Sequence, residues 1–276
     1  MLRKGTQMKL ISFDALRTYN MSSAHYIKPE NLFKEKEKVK EADWILFPKY
    51  WQINTLVYGL KKNIFPNIST YHLGHNKVEM TRAFMAVCPE NTPYTEILSN
   101  TPNNQELILD TFSFPFIAKE IKNSMGNGVF LIQNPKEFKN YCRQNDVLYV
   151  QEKLPINRDI RITYVGDEIV GAYWRIGSEN NFKNNVAQGG TISYDNISAD
   201  ALLLVESIAK TLGINHAGFD VAEVDGHYYI LEFNVFFGTR GLLDMGVNLS
   251  EIILKYLKSH PSNIPTDPIF PFPRIS

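Results

Sequence analysis

Apolar and polar positions alternate along this chain with two different periods, and they cut it into short strands and short helices. Residues 8–13 (MKLISF) and 43–47 (DWILF) read as short buried strands, and INTLVYGLKKN, from Ile53, reads as a helix. HNKVEMTRAFMAV (75–87) repeats apolar residues at helical spacing, and PNNQEL, from Pro102, opens a helix or linker. A strand follows in FPFIAKEI (114–121), then a small polar loop, NSMGNG (123–128), and a second strand, VFLI (129–132). PKEFKNYCRQ, from Pro135, is a helix, and LYVQEKL (148–154) is a strand running into a linker. DIRITYVGDEIVGAYWRI (159–176) is a hairpin turning at Gly166-Asp167, and NNFKNNVAQGG (180–190) is a polar loop. SADALLLVESIAKTLG (198–213) is a helix that starts on a capping serine and stops at Gly213. A second hairpin, GFDVAEVDGHYYILEFNVFFG (218–238), precedes a helix near SEIILKYLKSH (250–260). The last stretch, PSNIPTDPIFPFPRIS, holds five prolines, which exclude helix and central strand. It reads as an extended segment on a surface or a partner chain, and a homo-oligomer is the assembly such a tail would serve.

The second hairpin interrupts two greasy strands with Asp220, Glu232 and Asn234. Side chains alternate faces in a strand. Tyr228, Ile230, Glu232 and Asn234 therefore fall on one face, and Tyr229, Leu231, Phe233 and Val235 on an apolar one. A two-residue turn at Asp225-Gly226 would pair Val224 with His227 and turn Asp220 away from Glu232. An odd loop, or a bulge, sets Asp220 opposite Glu232. The odd loop is the expectation, because it keeps Phe219 and Val221 on the apolar face. Two adjacent carboxylates repel unless a cation lies between them, and hard oxygen donors suit Mg²⁺, with Mn²⁺ a substitute. The competing reading is polar residues scattered on a half-exposed sheet.

Composition narrows the function classes. The chain has 276 residues, enough for two or three small domains, with 44% apolar and 21% charged residues. Lysine plus arginine equals aspartate plus glutamate at 29 each, which gives no electrostatic case for nucleic acid or an anionic membrane. Cys88 and Cys142, without a CxxC or a histidine-rich cluster, read as reduced thiols of a cytoplasmic protein. No apolar run reaches the roughly 20 residues of a membrane helix. MLRKGTQMKLISF is basic but lacks the apolar stretch of a signal peptide, and Met8 is an alternative start, with Met1 to Gln7 a leader. There is neither a GxGxxG after the first strand nor a GxxxxGK[ST]. Lys119 instead sits mid-strand among apolar residues, where it must snorkel or meet an anion in a cleft. The loop just after it (Ser124, Met125, Gly126, Asn127, Gly128) suits backbone N–H groups closing over phosphate, although GNG alone is usually a hairpin turn.

The order of these motifs carries a resemblance. Strand lysine, glycine loop, VQEKL, RDIR, the FKNN loop, GFD and ILEFN together resemble the ATP-grasp superfamily and, within it, the RimK-like carboxylate–amine ligases. Those include ribosomal-protein glutamate ligases and amino-carrier lysine-biosynthesis ligases. The resemblance spans roughly residues 75–250 and is continuous from Asp159 to Asn234. It implies an α+β ATP-grasp fold: a small N-terminal α/β domain over 1–75, a central or lid subdomain over 76–150, a C-terminal subdomain with the metal hairpin over 151–260, and the proline-rich tail over 261–276. It further implies that Lys119 contacts the ATP phosphates under the loop of Ser124, Gly126 and Gly128. Gln151, Glu152, Lys153 and Leu154 would read adenine, and Asp159 the ribose hydroxyls. Lys183, Asn184 and Asn185 would lie near the γ-phosphate, Lys77 would be an upstream nucleotide contact, and Asp220, Glu232 and Asn234 would hold magnesium. The departures lie nearer the acceptor. Asn234-Val-Phe-Phe-Gly238 replaces Asn-x-x-Pro-Gly, Arg240 replaces an acid, and Ala187-Gln188 replaces His-Arg.

The implied reaction is ATP-dependent amide formation through an acyl phosphate, joining a small-molecule, peptide or protein carboxylate to an amine such as an amino acid. Arg175 is the candidate for meeting the carboxylate or acyl phosphate, and Arg161 the second, each weighed against a plain surface ion pair. His216 reads as a satisfied, partly buried histidine. Trp174, Phe236 and Phe237 read as packing residues, with Phe237 the best candidate among them for a substrate contact. Two rival readings are an ATP-grasp kinase that stops at phosphoryl transfer and a non-catalytic nucleotide-binding module. The acceptor and donor are not specified by fold class.

Overall fold

The structure, a computed structural model, describes residues 8–121, 128–177 and 190–260. The chain divides into two compact units, one formed by residues up to Ile68 together with the segment from Asn248 onward, the other by Ser69–Val247.

The first unit is built on a four-stranded parallel sheet. Its strands are β1 (Leu10–Ser12), β2 (Ala24–Tyr26), β3 (Trp44–Leu46) and β4 (Asn63–Phe65), in the order β2-β1-β3-β4. Helix α1 (Lys36–Glu41) leads into β3. The two central strands are buried at every position, as a parallel sheet covered on both faces requires, which is why they read as unbroken apolar runs. Strands β2 and β4 carry His25, Tyr26 and Asn63, and such three-residue edges show no period. The expected helix from Ile53 is a short helical stretch ending in a π-helical turn, Thr55–Gly59. A C-terminal helix, Leu249–Ser259, completes this unit, with Asn248 accepting from the Glu251 N–H and Tyr256 packed on Trp44 and Phe65.

The second unit opens with α2 (Ile68–His75) and α3 (Lys77–Val87), the latter capped by the Asn76 side chain. A four-stranded antiparallel sheet follows, in the order β5-β8-β6-β7: β5 (Thr95–Ser99), β6 (Phe116–Lys119), β7 (Val129–Ile132) and β8 (Val147–Gln151). It carries α4 (Pro102–Thr111) and α5 (Pro135–Gln144), capped by Thr101 and Asn134 with proline at the start of each helix, where a missing N–H costs nothing. Ile108, Phe112, Phe116, Phe138 and Leu148 form the core between helices and sheet.

A five-stranded antiparallel sheet, β11-β10-β9-β12-β13, completes the unit. Its members are β9 (Arg158–Val165), β10 (Glu168–Ile176), β11 (Thr191–Ser193), β12 (His216–Val224) and β13 (His227–Asn234). Helix α6 (Ala199–Leu212) runs from the Ser198 cap to Gly213, whose φ of 65° is left-handed. A short helix, α7 (Arg240–Asp244), follows β13. Among the described residues no helix is long and apolar enough to cross a membrane, and Cys88 and Cys142 are free, buried thiols.

The β12–β13 hairpin corrects one expectation. The turn is the two-residue one, with Asp225 at φ 50° and Gly226 at φ 81°, the pair of positive angles that a type I′ turn demands. Val224 therefore pairs with His227, not Tyr228. Asp220 still lies opposite Glu232, because the register shifts where Val221 pairs with Ile230, leaving Leu231 as an extra residue. That bulge also reassigns the faces. Ile230 joins Phe233 in the core, each 1% exposed, while Tyr229 and Leu231 are only half-buried.

Candidate active site

Antiparallel register places six chemistry-bearing side chains on one face of the five-stranded sheet. Tyr173, Arg161, Asp220 and Glu232 form a single lateral row across β10, β9, β12 and β13, and Arg175 pairs with Asp159 in the next row. Alternation puts Ile160, Ile162 and Phe219 on the opposite face, all fully buried, which anchors the polar row rigidly. Arg161 Nε donates to Asp220 Oδ1 at 2.7 Å, and Arg175 Nη2 lies 2.9 Å from Asp220 Oδ2. Arg175 Nε donates to Asp159 Oδ1 at 2.6 Å. Each of these four residues is more than nine-tenths buried, so these are interior ion pairs and not the surface pairs weighed against a functional role. Gly218, two residues before Asp220, leaves the room they need: a Cβ there would stand 2.8 Å from Arg161 Nη1 and 2.9 Å from Phe237 Cβ.

Glu232 has a different set of neighbours. Lys77, from α3, donates to its Oε2 at 3.2 Å, and the Asn234 amide donates to its Oε1 at 3.3 Å. Lys119, at the end of β6, is 7% exposed and close enough for its charge to act on Glu232, with Glu232 and Asp220 acting in turn on Lys119. Two carboxylates from neighbouring strands thus sit among four cations drawn from α3, β6, β9 and β10.

The profile of the RimK-like ATP-grasp domain matches residues 75–257, more than half of the chain. This chain belongs to the RimK-like ATP-grasp family. Relatives include the coenzyme gamma-F420-2:alpha-L-glutamate ligase of Methanocaldococcus jannaschii, 28% identical over 225 residues, with 76% of each protein covered. The enzyme of that name from Methanococcus maripaludis is 27% identical over 181 residues, covering 61% of this chain and 62% of its own length. This chain thus spans about three fifths of the length of the first relatives it matches. Among solved structures, the D-alanine–D-alanine ligase of Bacillus anthracis complexed with ATP superposes with a TM-score of 0.66 at 15% identity, over 92% of this chain and 97% of that one. A RimK domain ATP-grasp protein from Sphaerobacter thermophilus gives 0.63 at 15% identity, covering 78% and 81%. These likenesses show that the fold is the α+β ATP-grasp fold.

Within this ATP-grasp domain the charges tune one another. Burial would raise the Glu232 carboxyl, but Lys77 and Lys119 outweigh it and hold the group below the usual carboxylate range. Burial lowers Lys119, opposed by Glu232 and Asp220. Burial also pushes Asp159 up to about 6, and the negative charge of Asp220 adds to it against the pull of Arg175. Arg175, despite burial, is raised above the ordinary arginine value because it serves Asp220 and Asp159 together.

The other expected contacts are scattered along the same unit. Gln151 is buried and donates from Nε2 to Thr95 Oγ1 at 2.8 Å, while Glu152 Oε1 accepts from the Tyr94 N–H at 2.7 Å, so both side chains fasten β8 to the start of β5. Lys153 is exposed and Leu154 half-buried in the segment after β8. Gly128 has a left-handed φ of 74° and accepts from the Glu120 N–H. Ser124, Gly126, Lys183, Asn184 and Asn185 lie outside the described residues, as do Ala187, Gln188 and the proline-rich tail. His216 is 2% exposed, with Nδ1 at 2.8 Å from the Val235 carbonyl and its ring stacked on Phe237. Trp174 is buried beneath the Arg158 guanidinium, 3.9 Å away, and Phe236 meets Tyr71 edge-on.

Two tyrosines near Lys119 escaped the sequence reading. Tyr141 donates its hydroxyl to the Lys119 carbonyl at 2.8 Å, and the Tyr149 ring lies beneath the Lys119 ammonium. Their only signal is that PKEFKNYCRQ and LYVQEKL each put a tyrosine on the face turned to the core.

The donor set suits a hard divalent cation: two carboxylates directly across a ladder and an amide two residues beyond one of them. Among the described residues no group of three or more His, Cys, Asp and Glu is placed to hold a metal ion.

Proposed function

We propose that this chain is an ATP-dependent carboxylate–amine ligase that binds Mg-ATP over the polar face of the five-stranded sheet. The observation that carries the reading is the lateral row in which Asp220 faces Glu232, with Arg161 and Arg175 beside one and Lys77 and Lys119 beside the other. A site that must host a triphosphate and a developing anion needs both signs of charge held in place before the substrate arrives, and four cations around two buried carboxylates and the half-buried Glu232 meet that need.

In this reading the substrate carboxylate attacks the γ-phosphorus of ATP, the bond to the ADP oxygen breaks, and an acyl phosphate forms. An amine then attacks the acyl carbon, phosphate leaves with the bonding pair, and the nitrogen loses a proton. Asp220, Glu232 and Asn234 would hold a divalent ion, which would supply positive charge to offset that of the triphosphate. Lys119 and Lys77 orient the phosphates. Arg175 meets the carboxylate and its acyl phosphate, with Arg161 behind it fixing Asp220. Because the relatives' names carry L-glutamate, glutamate is the first amine to try. Phe237 and Arg240 stand at positions where this chain departs from the pattern of these ligases, so the acceptor is expected to differ from theirs. Two buried free thiols agree with a reducing compartment such as the cytoplasm.

The test is ATP turnover against a panel of carboxylates and amines, with ADP and the amide product followed by mass spectrometry. A stable phosphoester in place of an amide would show a kinase, and no turnover with retained nucleotide binding would show a binding module. Glu232→Gln is expected to remove turnover by about 10³-fold or more while the fold persists; unchanged turnover would sink the metal assignment.

A further inference from the structure

We propose that Tyr149 is a positioning residue for Lys119, holding its ammonium in place for the nucleotide; the inference rests on the nucleotide-binding reading above. Strands β6 and β8 pair at Ile117 with Gln151 and at Ala118 with Val150, so the next rung would join Lys119 to Tyr149. That rung is not direct. Tyr141, from α5, inserts its hydroxyl between the two backbones, donating to the Lys119 carbonyl at 2.8 Å and accepting from the Tyr149 N–H at 3.1 Å. The strands are spread at the residue whose side chain must reach the site.

On the side-chain side of this rung, Lys119 Nζ lies 5.3 Å from the centroid of the Tyr149 ring, within cation–π range. Tyr149 is itself fixed at its far end, its hydroxyl 2.7 Å from Thr81 Oγ1. Thr81 lies four residues after Lys77 on α3, on the same helical face. One buried ring thus stands between the two lysines that act on Glu232, supporting one through its π face and joined through its hydroxyl to the helix that carries the other. A lysine has a flexible four-carbon stem and a strongly hydrated head, and once buried it needs a partner to stay charged and aimed. The ring supplies this without adding to the negative charge of Glu232 and Asp220, and a further carboxylate would compete with phosphate for the ammonium.

A ring that merely filled the core would be indifferent to its electron density. The experiment therefore keeps size and varies electronics. In the full chain, Tyr149 is replaced by Phe and then by phenylalanines of rising ring fluorination, and binding of a non-hydrolysable ATP analogue with Mg²⁺ is measured by calorimetry. Phe is expected to stay within about threefold of the parent, and a trifluorinated ring to weaken the analogue about tenfold, in step with fluorine count. KM for ATP should follow while KM for the amine does not. In a Lys119→Met background the dependence on fluorine should vanish. A flat series in the parent background, or an equal slope with Lys119→Met, overturns the inference. Parent protein that binds no analogue overturns the nucleotide reading as well, whereas parent binding with a flat series overturns this inference alone.

Discussion

Asp220 and Glu232 face each other across one ladder, yet their surroundings are built on opposite plans. The Asp220 side is made within a single sheet: Arg161, Arg175 and Asp159 come from β9 and β10, and register fixes each. The Glu232 side is made between elements, with Lys77 from α3 and Lys119 from the other sheet. Guanidinium forks on adjacent strands give short, directional pairs of 2.6 to 2.9 Å, while the lysine pair is looser at 3.2 Å. The contrast teaches a division of labour. One half of the cluster is a rigid template, and the other is assembled by packing and is adjustable.

The strongest way to break the comparison is to remove the template's hub. Asp220→Asn leaves two buried arginines facing a neutral amide and is expected to cost about 3–5 kcal/mol, read by urea denaturation. A loss below about 1 kcal/mol would mean that the arginines find other partners. Gly218→Ala pushes a methyl onto Arg161 and Phe237. It should cost about 1–3 kcal/mol, with a larger fall in activity than in nucleotide affinity. The adjustable half predicts a smaller loss. Lys77→Met is expected to destabilise by roughly 1–2 kcal/mol, because Glu232 retains Lys119 and Asn234. A loss as large as that of Asp220→Asn would erase the distinction.

The two halves should also respond oppositely to acid in ligand-free protein. Glu232 lies below its unfolded value of 4.5, so its contribution is full above that pH and is lost as pH falls through the native value. Asp159 is raised from 3.8 to about 6, so its native state holds the proton more tightly and its contribution fades as pH rises between those values. Subtracting the Asp159→Asn stability profile from that of the parent should reveal a fall between about pH 4 and 6. A rise there would reverse the assignment. The smallest effect is the control: Lys210→Ala, which breaks an exposed pair with Glu206, should change stability by less than about 0.5 kcal/mol.

Much of this was legible in the chain. The helix capped by Ser198, the helix over 75–87 and the Gly166-Asp167 turn follow from local rules of period and capping, and the meeting of Asp220 with Glu232 follows from keeping Phe219 and Val221 on the apolar face. The route to that meeting did not. A type I′ turn at Asp225-Gly226 is locally favoured, and only the core's demand for Ile230 beside Phe233 forces the bulge at Leu231, a demand visible once strands are paired. The Arg–Asp pairs were hidden for a similar reason, since they arise from rows across four strands and not from spacing along one. Strands β2 and β4 are too short to carry a period, and Tyr141 reaches Lys119 from a helix 22 residues away.

The bulge gives the second hairpin a reading frame. Five residues, His227 to Leu231, separate the turn from Glu232, and the spare one among them keeps tip and base in phase. Were all five to pair in straight register, Asp220 would meet Leu231, Glu232 and Asn234 would turn into the core, and Phe233 would turn onto the polar face. A hairpin lacking Leu231 would reach the same pairing with no bulge at all, so the spare residue is what reconciles this turn with this length of strand.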